Sequence, residues 1–116
     1  MDNTEYKYLI AVATSDGLVV NQHFGRADAF WIVGLDKENH AHHIEKRSVI
    51  PVCEGGNHDD GRLEATAKMF MDCKYILVSR IGRGAACTLE RFGITPMELP
   101  GIIEESIQKL LVYEEL

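Results

Sequence analysis

The sequence predicts an α/β fold: a five-stranded mixed sheet with helices on both faces. Three observations predict it. Five short runs rich in apolar, branched and aromatic residues punctuate the 116-residue chain. The first three are joined by short connections without a helical pattern, and strands so joined run antiparallel. The last two alternate with helical patterns, and helical crossovers join parallel strands.

Tyr8 to Thr14 is a near-continuous apolar run that stops at the turn signal Ser15, Asp16, Gly17. Such a run reads as a strand buried on both faces. A loop containing Asn21 to Gly25 follows. Ala29 to Leu35 is the longest apolar run and predicts the second strand. Asp36 to Asn39 has turn composition. His42 to Ile50 carries Glu45, Lys46 and Arg47, as an edge strand should. Pro51 to Gly61 is polar and Gly-rich and predicts a loop. It buries little apolar surface, so residues 52–61 are expected to move without ligand. Asp59 or Asp60 is placed to cap a helix over about Arg62 to Asp72, with Leu63, Ala67 and Phe70 as its apolar stripe. Tyr75 to Ser79 predicts a fourth, buried strand. Gly82, Arg83 and Gly84 open a helix with Ala86, Leu89 and Phe92 inward, ended by Gly93. Ile94 to Leu99 predicts a fifth strand. A last helix begins near Gly101, with Glu104 and Glu105 favourably placed in its first turn and Ile103, Ile107, Leu110 and Leu111 on its apolar face.

Placing strand four parallel to strand one gives the sheet order 3-2-1-4-5, which resembles the three-layer ribonuclease H-like architecture. A crevice then opens where strands one and four part, at their carboxyl ends. The loops Ser15 to Arg26 and Ser79 to Gly84 emerge there.

Composition narrows the function. A length of 116 residues suits a single domain, 1–116. The 18 Asp and Glu outnumber 12 Lys and Arg, for a net charge of -6. Such a surface repels phosphate backbones, so nucleic-acid partners are not expected. No polybasic segment or long apolar run suggests a membrane partner. The amino terminus lacks a signal-peptide pattern, so a cytoplasmic location is expected. Cys53, Cys73 and Cys87 are an odd number without C-x-x-C spacing, which argues against a disulfide framework or a four-cysteine zinc site.

The crevice loops carry the chemistry. His23 offers an imidazole, a good ligand for iron and other borderline metals. The alternative is an ordinary loop histidine. Cys53 sits in a polar, Gly-rich loop, where a thiol is suited to chemistry, and His58 lies five residues later. Together they form a candidate sulfur and nitrogen donor pair; an incidental loop thiol is the other reading. Cys73 and Cys87 read as small core hydrophobes. His40, His42 and His43 read as a solvated strand edge, since neighbouring strand residues face opposite ways. Arg26, Arg80 and Arg83 flank the crevice, and Gly82 to Gly84 leads into a helix amino terminus with free amides. That combination suits an anionic ligand, and a tight turn explains the glycines equally well. Two-metal hydrolysis needs converging carboxylates. The first strand has none, and Asp16, Asp28, Asp59 and Asp60 lie outside it, so a nuclease is not expected.

At these residues the chain resembles a known family. The segments Ala11 to Gly17, Val20 to Gly25, Ala27 to Phe30, Leu77 to Gly84 and Phe92 to Ile94 are similar to the dinitrogenase iron–molybdenum cofactor biosynthesis family, which includes NifX, NafY and the carboxyl-terminal domain of NifB. The His-Phe-Gly segment with its upstream Ser-Asp-Gly is the most specific part. The resemblance implies a ribonuclease H-like domain that transiently binds an iron–sulfur cluster or iron–molybdenum cofactor precursor. It makes His23 the candidate cluster ligand. Cys53 is a second candidate; Arg26, Arg80, Arg83 and Gly84, read above from their place at the crevice, are expected around the cargo. Partners would be a cofactor-assembly donor and acceptor. The three-cysteine motif of the NifB radical-SAM domain is absent from this chain, so that enzyme's chemistry is not expected here, and the resemblance implies a carrier without catalysis. The alternatives are a thiol enzyme using Cys53 with His58 or His23 as base, and a small anion-binding or protein-interaction module at Gly82 to Gly84.

Overall fold

The first apolar run forms β1 (Tyr6–Ala13), and its buried end occupies the middle of the sheet. The computed structural model describes residues 5–52 and 60–116. After β1 come a short β2 (Val19–Val20), a 3-10 turn (Phe24–Arg26), β3 (Ala29–Asp36) and β4 (Ala41–Ser48). Helix α1 (Asp60–Lys68) leads to β5 (Cys73–Val78), and α2 (Arg83–Arg91) leads to β6 (Thr95–Glu98). A short β7 (Gly101–Ile102) and α3 (Ile103–Glu114) follow. The main sheet has the order β4-β3-β1-β5-β6. β1 is antiparallel to β3, with Ile10 opposite Val33, and parallel to β5, with Val12 opposite Leu77.

Alternation along the central strands sorts their side chains into two cores. Ala11, Ala13, Phe30, Ile32, Ile76 and Val78 pack with Leu63 and Ala67 of α1 and Leu89 of α2. Ile10, Val12, Val33, Leu35 and Leu77 pack with Ile103, Ile107 and Leu110 of α3. Burial on both faces is why β1 and β5 read as unbroken apolar runs rather than alternating ones.

Several boundaries differ from the sequence reading. Helix α1 starts at Asp60 and stops at Lys68, four residues short of Asp72. Its last turn tightens: the amides of Met69, Phe70 and Cys73 donate to Thr66, Ala67 and Phe70 carbonyls, each three residues back. That geometry carries buried Phe70 and Cys73 into the core. Val52, expected in a mobile loop, is 2% exposed and belongs to the first core. Residues 53–59, with Cys53, His58 and Asp59, lie outside the described residues. The β2–β7 pair was not anticipated. Val19 opposes Ile102, and two-residue strands carry too little pattern to read.

On α2 the buried residues are Ala85, Thr88 and Leu89, with Phe92 packed at the margin. Cys87 is exposed, a correction to its reading as a core residue. It lies two positions from Ala85 and from Leu89, which turns it away from their face. Cys73 is buried, and desolvation pushes its thiol up to about 12, so it is an unreactive packing residue.

Gly93 ends α2 with φ +81°, and the Ile94 amide returns to the Leu89 carbonyl at 3.0 Å. Ile94 and Leu89 are both fully buried, so this cap also seals the core. A Cβ at Gly93 would meet nothing within 4 Å, so its cost is backbone strain alone. Gly93→Ala is expected to lower the unfolding free energy by about 1–2 kcal/mol in denaturant titration.

At the β3–β4 turn, Asp36 accepts hydrogen bonds from the His42 ring at 2.8 Å and the Glu38 and His40 amides at 2.9 Å. His43 meets the edge of Trp31 at 5.8 Å. The His42 bond, then the His40 amide, hold the Asp36 carboxyl at about 2, below its ordinary 3.8. Its contribution to stability is therefore present above pH 3.8 and is lost as pH falls through about 2. Following the Asp36 side-chain carboxyl carbon by NMR during acid titration should give a midpoint near 2. A midpoint near 3.8 would contradict the turn geometry.

Candidate functional site

At the carboxyl end of β1 the chain reverses in a turn held by its own side chains. The Thr14 hydroxyl accepts from the Gly17 amide at 3.0 Å and donates to Asp16 Oδ1 at 3.1 Å. Asp16 Oδ1 in turn accepts from the Leu18 and Val19 amides at 2.8 and 3.1 Å. The Leu18 and then the Val19 bonds hold the Asp16 carboxyl below its ordinary range. The chain then returns, and the Asn21 amide donates to the Ala13 carbonyl at 3.2 Å.

The next residues run parallel to the end of β5. The Ser79 amide donates to the Gln22 carbonyl at 3.0 Å, and the Phe24 amide to the Arg80 carbonyl at 2.9 Å. His23 thus lies in register with Arg80 as an isolated bridge. Phe24 is 1% exposed and meets Phe30 at 6.0 Å, so it plugs the loop into the core. With Phe24 pointing inward, its neighbour His23 is left exposed. The Ala27 amide donates back to the His23 carbonyl at 3.0 Å and closes the 3-10 turn.

These loops enclose a cleft of about 680 Å³ lined by His23, Gly25, Arg26, Arg80, Ile81, Gly82 and Glu98. Gly82 is the N-cap of α2 and supplies no side-chain capping bond, and the helix has no acidic residue in its first turn. The positive end of the α2 dipole therefore lies at the cleft without a carboxylate from its own turn to balance it. Imidazole, two guanidiniums and a helix amide end make a cleft suited to a soft, anionic guest.

The structure brings His23, Arg26 and Arg80 together. Arg83 and Gly84 are exposed at the start of α2, directly after the lining residue Gly82. Cys53 and His58 fall outside the described residues. Glu98 was missed. Its Oε2 accepts the Ile81 amide at 2.9 Å, from the last position of the strand beside β5. Its place at a carboxyl strand end was the available signal. Among the described residues, no three His, Cys, Asp or Glu side chains gather as a metal site. No helix among them is long and apolar enough to cross a membrane.

The profile of a family described as "Dinitrogenase iron-molybdenum cofactor" matches residues 6–112. Among curated proteins, the FeMo cofactor biosynthesis protein NifB of Frankia alni is 37% identical over 105 residues, covering 88% of this chain and 20% of that protein. NifB of Chlorobaculum tepidum is 33% identical over 112 residues, covering 97% of this chain and 26% of that protein. The protein NifY of Klebsiella pneumoniae is 31% identical over 91 residues, covering 78% of this chain and 37% of that protein. The chain thus spans between 20% and 37% of these relatives. Among solved structures, the apo form of the orange protein from Desulfovibrio gigas superposes with a TM-score of 0.62 at 20% identity, over 95% of this chain and 91% of that one. That likeness concerns the fold alone.

Proposed function

The chain belongs to the dinitrogenase iron–molybdenum cofactor family, and from that premise we propose that it is a non-catalytic carrier. Its cargo is an iron–sulfur cluster or an iron–molybdenum cofactor precursor, taken from one assembly protein and passed to another. The observation that carries this reading is the cleft in which exposed His23 stands with Arg26 and Arg80. The His23 imidazole would ligate the cargo. The two guanidiniums and the amide end of α2 would balance its negative charge and donate hydrogen bonds to its sulfides.

The donor set suits transfer. Four protein thiolates occupy every terminal iron site of a tetranuclear cluster, whereas one imidazole with electrostatic support leaves metal sites for the next ligand. Cys53 remains a proposed second ligand, and His58 a further donor. The names of the NifB relatives support cofactor assembly as the setting.

The test is loading without oxygen with a synthetic tetranuclear iron–sulfide cluster bearing small thiolate ligands, a dianion, followed by gel filtration and iron analysis. Iron is expected to elute with the protein. Iron no higher than on an unrelated protein of similar charge would overturn the reading. A second reading, a small anion-binding module, is favoured by the uncapped amino terminus of α2. It predicts that inorganic phosphate binds as well to His23→Ala as to the unaltered chain and displaces the cluster.

A further inference from the structure

We infer that Glu98 limits how tightly the cleft holds an anionic guest, so that the guest can leave for its acceptor. The inference deepens the carrier reading and rests on it. Glu98 ends β6 and lines the same cleft as His23, Arg26 and Arg80. Among the described lining residues it is the single acid, set against two guanidiniums. Its carboxylate is restrained, because Oε2 accepts the Ile81 amide at 2.9 Å. That bond ties the segment between β5 and α2 to β6, one residue from Arg80.

A fixed negative charge inside a cleft this size lies within a Debye length of any bound anion and raises its energy. Arg26 and Arg80 attract the guest and Glu98 repels it. A cleft holding cations alone would bind the anion more tightly and release it more slowly. Anchoring the Ile81 amide does not require a charge, since a glutamine oxygen accepts the same N–H. The charge, not the hydrogen bond, is therefore the feature with a functional consequence.

The experiment loads the unaltered chain and Glu98→Gln without oxygen with the synthetic dianionic cluster, then times iron loss to excess free thiol. Glu98→Gln keeps the acceptor for Ile81 and removes the charge. It is expected to lose iron about three- to tenfold more slowly. The difference should shrink as salt is raised, because screening removes the repulsion. A purely structural role would leave no such salt dependence. If the unaltered chain retains iron and Glu98→Gln releases it equally fast or faster, the inference alone is overturned. If neither chain retains iron, the carrier reading falls and the inference falls with it.

Discussion

Replacing His23 by alanine is expected to cut retained iron at least about tenfold and to leave folding stability within about 0.5 kcal/mol. Both halves follow from position. The side chain is exposed beside a cleft that offers, among its described lining residues, no other imidazole or thiolate. Its backbone does the structural work: the His23 carbonyl accepts from the Arg26 and Ala27 amides at 3.1 and 3.0 Å, and alanine keeps that carbonyl. Loss of a direct ligand should cost no less than loss of the outer partners of a metal site, which cost about 10- to 100-fold. The measurement is iron per chain after anaerobic gel filtration, paired with urea unfolding of the apo chain. Equal iron in both chains would remove His23 from the site.

One residue along, Phe24→Ala is expected to destabilise the fold by about 3–5 kcal/mol. Phe24 is 1% exposed, and its ring is 6.0 Å from that of Phe30, which in turn meets Phe70 at 4.9 Å. Removing it opens a cavity where the cleft loops join the core. Urea unfolding should show a lower midpoint with an unchanged slope. The same chain should also retain less iron, because the hydrogen bonds joining the Gln22 to Phe24 segment to Ser79 and Arg80 lose their anchor. A loss below about 1 kcal/mol would mean that the loop is not held by this ring.

The contrast between these neighbours shows how much was legible beforehand. Runs of β-branched and aromatic residues marked β1, β3 and β5, since a strand buried on both faces tolerates little else. Gly93 marked the end of α2, because that position has a left-handed backbone. The His-Phe-Gly motif singled out His23. Glu98 passed unnoticed because it approaches Ile81 across 17 residues, and no local pattern encodes that distance. Cys87 was misread because a single helical residue can face either way until the packing partners are known. The β2–β7 pair joins segments about 80 positions apart through two residues on each side.

Local order, then, was determined by the sequence itself: periodicity, turn residues and caps act over a few neighbours and leave a linear trace. The tertiary structure decided which loops share the cleft, and that Glu98 lines it together with Arg26 and Arg80. Those outcomes depend on the parallel pairing that sets β1, β5 and β6 side by side. Charges from distant parts of the chain meet only once that sheet has formed.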